Sequence, residues 1–554
     1  MQTRAFLRLF IFLLALASGN PEVHAQVSLE YSSFLGGIGT DDAQAVALAP
    51  DGCIWVCGYT LSTNFPLVNP LDSTLGGSQD GFVSKLSPDG GTLLFSTYLG
   101  GSAEDIAAGI AVDANGDVYI CGRTDSSDFP TRNAFQPARN GFWTDDFICK
   151  LDANGTNLIY SSYLGGSFFD YAYDVAVDTS GCAYVAGMAW STDFPTVNPF
   201  QPTNTLSSGY NFTLTKVAAN GGSLVYSTYL GGSGSGHEYP RVAVTPDGIA
   251  CFSGTTTSTN FPVVNPYQAN HAGPSPSSWD AVISVFSADG SSLTYSTYLG
   301  GSEDIDQAND IAIGPDGAIT VVGTTQSDNF PVTNAVQDSI RGQPDLFVTQ
   351  LSPEGDKLQF STYLGGWDWD YGSAVALGDD GSVIAVGIAV SANYPVYEAC
   401  QPANAGGYEA AVTRLSPDGT PFVYSTYLGG SGSDYGRAAV IDSNGAAIVV
   451  GRTESANFPA VKPFQGNSGG DADAFICRLN LMPLHISGIS RTGGAVRVEW
   501  AGEGSVLTQR LMRTGSLASP QQWSCIHTCT PGGARCCETT DPSNALFRVD
   551  MQRP

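Results

Sequence analysis

The chain has 554 residues, 66 of them glycine, with 42% apolar and only 14% charged side chains. That apolar content excludes a disordered chain, and the length excludes one simple core unless the core is modular. Acidic residues outnumber basic ones 52 to 23, for a net charge of −29; such a surface makes nucleic acid and anionic lipid poor partners.

The N-terminus has the layout of an export signal. Arg4 and Arg8 supply a basic start, Leu9 to Ala17 form a short apolar run, and Val23-His24-Ala25 places small residues at the cleavage positions. Residues 1–25 are therefore expected to be a signal peptide cut before Gln26, and the mature chain to be secreted, as a periplasmic, extracellular or cell-surface protein without a membrane span. Without Arg4, Arg8 and Glu22 the mature chain carries a net charge of −30.

From Val27 onward one phrase returns seven times. Its aromatic stands at Phe34, Tyr98, Tyr163, Tyr229, Tyr298, Tyr363 and Tyr427, each followed by Leu-Gly-Gly. A second marker, Asn/Asp-Phe/Tyr-Pro, keeps the same step from Asn64 to Asn457. A regular period of this length is the mark of a repeat architecture. In the second copy, IAAGIAVD and DVYICG flank a turn at Asn115-Gly116, and DDFICKLD and TNLIYSSYLGG flank another at Asn154-Gly155. Asn-Gly and Asp-Gly accept the positive φ of tight hairpins, so each copy reads as a four-stranded antiparallel meander.

The last copy lacks a final YLGG strand, and Val27–Gly37 supplies one without preceding strands. The fold class expected is therefore all-β, a seven-bladed β-propeller over residues 26–482 in which an N-terminal strand completes the last blade. The segment YLGGSAEDIAAGIAVDANGDVYICGRTDSSDFP, Tyr98 to Pro130, resembles the bacterial seven-bladed β-propeller repeat proteins, the SBBP repeats. The resemblance implies a shape and an exported location, not a reaction.

After Met482 the repeat stops. Residues 483–554 resemble a small fibronectin III-like β-sandwich through VEW, QQWSCI and LFRV, which implies a spacer or attachment module. Its four cysteines, Cys525, Cys529, Cys536 and Cys537, are disulfide candidates in an exported chain, with zinc as the alternative. In the propeller, a Cys121–Cys149 bridge would join adjacent strands.

The short Asp-Gly and Asn-Gly turns put all long connections on one face, and function is expected there. An Asp follows the paired glycines at Asp41, Asp105, Asp170, Asp370 and Asp434, and the fifth copy offers Asp304 or Asp306. These carboxylates would either bind a cation or polar ligand at the channel mouth or accept loop backbone N–H bonds once per blade. The fourth copy instead carries His237, Glu238 and Tyr239. Trp143, Trp190, Trp279, Trp367 and Trp369 map to the same loops and suit either a sugar or protein partner or the seams between blades. A recurring glutamine, from Gln136 to Gln465, reads as an anchor to neighbouring backbone.

The ligand-binding candidates are thus the five carboxylates with His237, Glu238, Tyr239, Trp367 and Trp369. No catalytic residue or metal ligand is assigned, and no cofactor is expected other than the calcium an Asp ring would take. The leading reading is a monomeric, non-enzymatic protein that engages protein or carbohydrate on its long-loop face. The alternatives are a carbohydrate-active lyase or hydrolase at the channel mouth and a calcium-dependent scaffold.

Overall fold

The computed structural model describes residues 27–481 apart from 207, 208 and 276, and beyond them only strand backbone. Residues 1–25, expected to be a signal peptide, and the side chains of Cys525, Cys529, Cys536 and Cys537 lie outside the described residues. Residues Leu29–Asn480 form one compact unit. Past it, His485–Thr492, Ala495–Ala501 and Arg535–Thr539 pair in one antiparallel sheet, and Ser524–Cys529, Thr508–Thr514 and Leu546–Gln552 in another.

The larger unit is a ring of seven four-stranded antiparallel sheets. Blades 1 to 6 run from Asp41 to Leu99, Asp105 to Leu164, Asp170 to Leu230, Gly236 to Leu299, Asp306 to Leu364 and Asp370 to Leu428. Blade 7 takes its first three strands from Asp434 to Leu481, and Val27–Leu35 pairs with Asp473–Leu481 as its outermost strand. The chain start thus seals the ring, as the repeat count predicts. Among the described residues no helix is long and apolar enough to cross a membrane.

The repeated STYLGG phrase builds the seams. Tyr98 and Leu99 point to opposite sheet faces and enter different apolar clusters. The Tyr98 hydroxyl donates to the Ser62 carbonyl at 2.6 Å and accepts the Phe65 N–H at 3.3 Å, tying down the Phe-Pro loop of its own blade. Earlier in the same strand, Phe95 packs on the third-to-fourth turn of the next blade. There Gly155 has φ of 76°, and a Cβ on it would stand 2.7 Å from the Phe95 ring. The turn therefore needs glycine for its conformation and for the approach of the ring.

The eight propeller cysteines are free thiols. Cys121 pairs in register with Ile148, while Cys149 pairs with Ile120. Successive strand residues face opposite sides, so the two thiols enter different clusters and form no bridge.

Six of the seven inner strands carry a register shift after the third residue, as between Ala43 and Ala45, Ala107 and Gly109, and Gly436 and Ala438. Such bulges turn one side chain away from the regular alternation. Residues at and beside them, from Gln44 to Arg437, line a small central space of about 110 Å³.

The glycine argument has a direct check. A Cβ at Gly101 would meet Ser126 Cβ and Asp128 Oδ1 at 2.6 Å, whereas one at Gly91 meets nothing nearer than 3.5 Å. Gly101→Ala is expected to lower the melting temperature of the propeller by several degrees and Gly91→Ala to leave it nearly unchanged, as read by thermal denaturation.

Candidate functional site

Each passage from one blade to the next leaves glycine N–H groups inside the protein, and these need acceptors. The Asp series supplies them. Gly37 N–H donates to Asp41 at 2.7 Å, Gly101 to Asp105 at 2.7 Å and Gly166 to Asp170 at 2.6 Å. Gly301, Gly366 and Gly430 donate to Asp306, Asp370 and Asp434, each at 2.7 Å. A serine hydroxyl one strand away, such as Ser126 or Ser391, donates to the same carboxylate oxygen at 2.8 Å. In the fifth copy Asp306, not Asp304, takes this role.

A second acid starts the third strand of most blades: Asp80, Asp145, Asp280, Asp345, Glu409 and Asp473. The first glycine of the pair sits between the two carboxyls. A Cβ on Gly100 would stand 2.7 Å from Asp80 Cγ and 2.8 Å from Asp105 Oδ2. The recurring glutamine completes this clasp. Gln337 Oε1 accepts the Gly365 N–H at 3.2 Å, and its Nε2 donates to Asp345 at 3.1 Å.

Burial raises these acids, and their mutual repulsion adds to it. Asp170 is pushed up to about 8, Asp306 to about 7, and Asp41, Asp105 and Asp370 to about 6. The six inner-strand carboxylates lie one per blade junction and do not converge on one point. Among the described residues, no group of three or more His, Cys, Asp or Glu side chains is arranged to hold a metal ion.

Blade 4 departs from the pattern. Gly236 occupies the Asp position, and its inner strand loses register between His237 and Arg241. Tyr239 lies in this break with φ of 72° and is partly exposed. Its ring meets Tyr173 edge-on at 5.7 Å, with Arg241 5.8 Å above its face. The His237 ring lies 3.6 Å from that of Trp279. Glu238 shares this segment.

Deeper in the channel, Arg241 stands 4.0 Å from Asp310, and Asp174 accepts the Val242 N–H at 2.9 Å. The trio comes from three strands far apart in sequence, and sequence reasoning missed it. On the opposite side Arg437 pairs with buried Asp42 at 3.1 Å.

The long-loop face also carries a connected group of rings, only part of which the sequence singles out. Trp143 lies 5.6 Å from Phe168 and 4.6 Å from Phe169. Phe168 lies 5.6 Å from Trp190, and Trp190 lies 5.1 Å from Tyr210. Phe142 is 92% exposed beside Trp143, which is itself 46% exposed. Trp367 and Trp369, 81% and 50% exposed, stand apart from this group at the crossing from blade 5 to blade 6. The Phe-Trp and Phe-Phe pairs of GFWT and SFFD were the signal available in the sequence.

Three segments, 94–130, 159–195 and 294–331, match the family model of the SBBP beta-propeller repeat. The protein is thus a seven-bladed β-propeller, three segments of which match that repeat. No curated protein matches the chain.

Among solved structures, a protein of unknown function from Dyadobacter fermentans is 11% identical, over 82% of this chain and 100% of its own, with a TM-score of 0.37. A quinohemoprotein alcohol dehydrogenase from Comamonas testosteroni is 8% identical over 86% and 80%, with a TM-score of 0.40. An ulvan lyase, a polysaccharide lyase, is 8% identical over 80% and 94%, with a TM-score of 0.43. None of the three lends its activity to this chain.

The raised acids set a pH dependence. A carboxyl whose pKa is higher folded than unfolded favours folding while protonated and loses that contribution as pH rises through the folded value. Thermal stability is therefore expected to fall between pH 5 and pH 8. Asp170→Asn is expected to narrow the difference, because the amide carries no charge to bury. Calorimetry at the two pH values checks both; a melting temperature that rises toward pH 8 contradicts the assignment.

Proposed function

We propose that the protein is an exported, non-catalytic binding protein whose long-loop face holds a carbohydrate. The observation that carries this reading is the ring group of Trp143, Phe168, Phe169, Trp190 and Tyr210, extended by exposed Phe142. Exposed aromatic faces pack against the C–H faces of sugar rings and pay little entropy on binding, since each side chain has only two rotatable bonds. The polar groups a sugar needs stand close by. Asp193 accepts from Ser167, and Asp125 accepts from Thr144 beside Trp143. The rigid propeller holds these rings in place before any ligand arrives, which reduces the cost of ordering them.

In this reading the N-terminal 25 residues direct export, and the C-terminal segment is a β-sandwich spacer or attachment module stabilised by its cysteines. The inner-strand clasp carboxylates act as structure, because one oxygen of each, Oδ2, is committed to both a glycine N–H and a serine hydroxyl.

A glycan array probed with the full mature chain is the test. Binding is expected to be saturable, with no released product. Replacing Trp143 and Phe168 together by alanine is expected to weaken it at least about tenfold, since truncating a central interface aromatic costs more than about 1 kcal/mol, while the melting temperature stays near that of the unaltered chain. Absence of binding to any glycan contradicts the proposal, as does product release from the bound glycan.

A further inference from the structure

The glutamine of the clasp recurs at Gln136, Gln201, Gln268, Gln337, Gln401 and Gln465, and each accepts the N–H of the first glycine of its pair at 3.0–3.2 Å. Blade 1 alone in the sequence has a different residue at this place, Asp72. Its backbone sits as a clasp glutamine does: Asp72 N–H donates to Thr97 Oγ1 at 2.9 Å, as Gln337 N–H donates to Thr362 Oγ1 at 3.0 Å. Its side chain does not reach inward. Asp72 Oδ1 instead accepts from the Thr74 N–H at 2.9 Å and the Thr74 hydroxyl at 3.0 Å.

The seam between blades 1 and 2 holds a cavity of about 460 Å³ at this place, lined by Leu71, Asp72, Gly76, Gly100, Leu151 and Leu158 among others. Asp80 stands directly behind two of these residues. Its Oδ2 would be 3.7 Å from a Cβ on Gly76, and its Cγ 2.7 Å from a Cβ on Gly100. It accepts backbone N–H bonds from Gly76 and Gly77, where Asp145, Asp280, Asp345 and Glu409 accept a glutamine amide as well. The apolar half of the cavity has a parallel explanation. At the seam of blades 3 and 4, Phe200 packs edge-on against Phe286 at 6.2 Å. The same two positions here are Leu71 and Leu151, which fill less space.

We propose that this cavity is a binding site for a small ligand bearing a carboxamide. The ligand's N–H takes the place of the glutamine amide on Asp80, and its carbonyl accepts the Gly100 N–H. Its apolar portion lies against Leu71, Leu151 and Leu158. Asp80 lacks the further donor that a glutamine amide supplies to its counterparts, and the Gly100 N–H lacks the glutamine acceptor, so a ligand that supplies both groups is held more tightly than one of equal size that supplies neither. Two sources offer this chemistry, the acetamido group of an amino sugar and the side-chain amide of glutamine. The site is separate from the ring group on the long-loop face and stands independently of the function proposed there.

Ligand-observed NMR on the full mature chain tests it, with N-acetylglucosamine and doubly capped glutamine as probes and glucose as the control. At least one amide probe is expected to show saturable binding and glucose none; which amide probe binds identifies the source. Asp72→Gln restores the residue the other six blades use. It is expected to weaken the bound probe at least about tenfold, the effect of losing a hydrogen bond of ordinary strength, and to raise the melting temperature. Leu71→Phe, which fills the apolar half, is expected to weaken binding without touching either polar partner. Failure of both amide probes to bind overturns the proposal, as does undiminished binding by Asp72→Gln.

Discussion

The contact between a buried Asp carboxylate and the backbone N–H of a glycine, made where the chain passes from one blade to the next, governs the rest of this structure. The crossing must be tight, so two glycines stand there. A Cβ on either would enter a carboxyl, a serine or an asparagine, as Gly36 and Gly37 show against Asp473, Asp41, Ser62 and Asn64. Bringing backbone so close exposes donors to a dry interior, and acids supply the acceptors. The acids in turn raise each other's affinity for protons. The junction leading into blade 4 bears this out: Gly236 replaces one acid and Asn211 the other, so the two carboxyls are present together or absent together.

A ring fastened in this way can carry varied loops without losing its shape. The inner strand of blade 4 breaks register at His237 to Arg241, yet its remaining strands pair as in the other blades. The ring group from Trp143 to Tyr210 spans loops of blades 2 and 3 that the fixed spacing of their strands brings side by side. The same stiffness makes a single altered clasp, at Asp72, into a cavity instead of a collapse, because neighbouring strands are held too firmly to close over it.

Much of the fold was legible in the sequence because its signals are local and repeated. The phrase around Tyr98, the Asn-Gly turns and the unpaired Val27–Gly37 strand fix the number of blades and the closure. The clasp was half legible. The recurrence of Gln136 and its relatives pointed to a backbone anchor, but the partner acids at Asp145 and Asp345 emerge only when third strands face the next blade. The channel trio of Asp174, Arg241 and Asp310 was invisible, since it depends on a bulge that redirects single side chains and on strands more than 60 residues apart. His237, Trp367 and Asp370 stand together in the sequence reading only as ligand-binding candidates. In space the first belongs to the entry of blade 4 and the other two to that of blade 6, because residues at equal positions in successive repeats are carried around the ring.

Asp370 Oδ2 accepts both the Gly366 N–H and the Ser391 hydroxyl, and the most direct measurement of this clasp is a double-mutant cycle of its side-chain arm, Asp370→Ala and Ser391→Ala, which share a hydrogen bond of 2.8 Å in a fully buried setting. Chemical denaturation of the single and double variants gives the coupling. The account predicts non-additive losses with a coupling of about 1 kcal/mol or more, and strictly additive losses would contradict it.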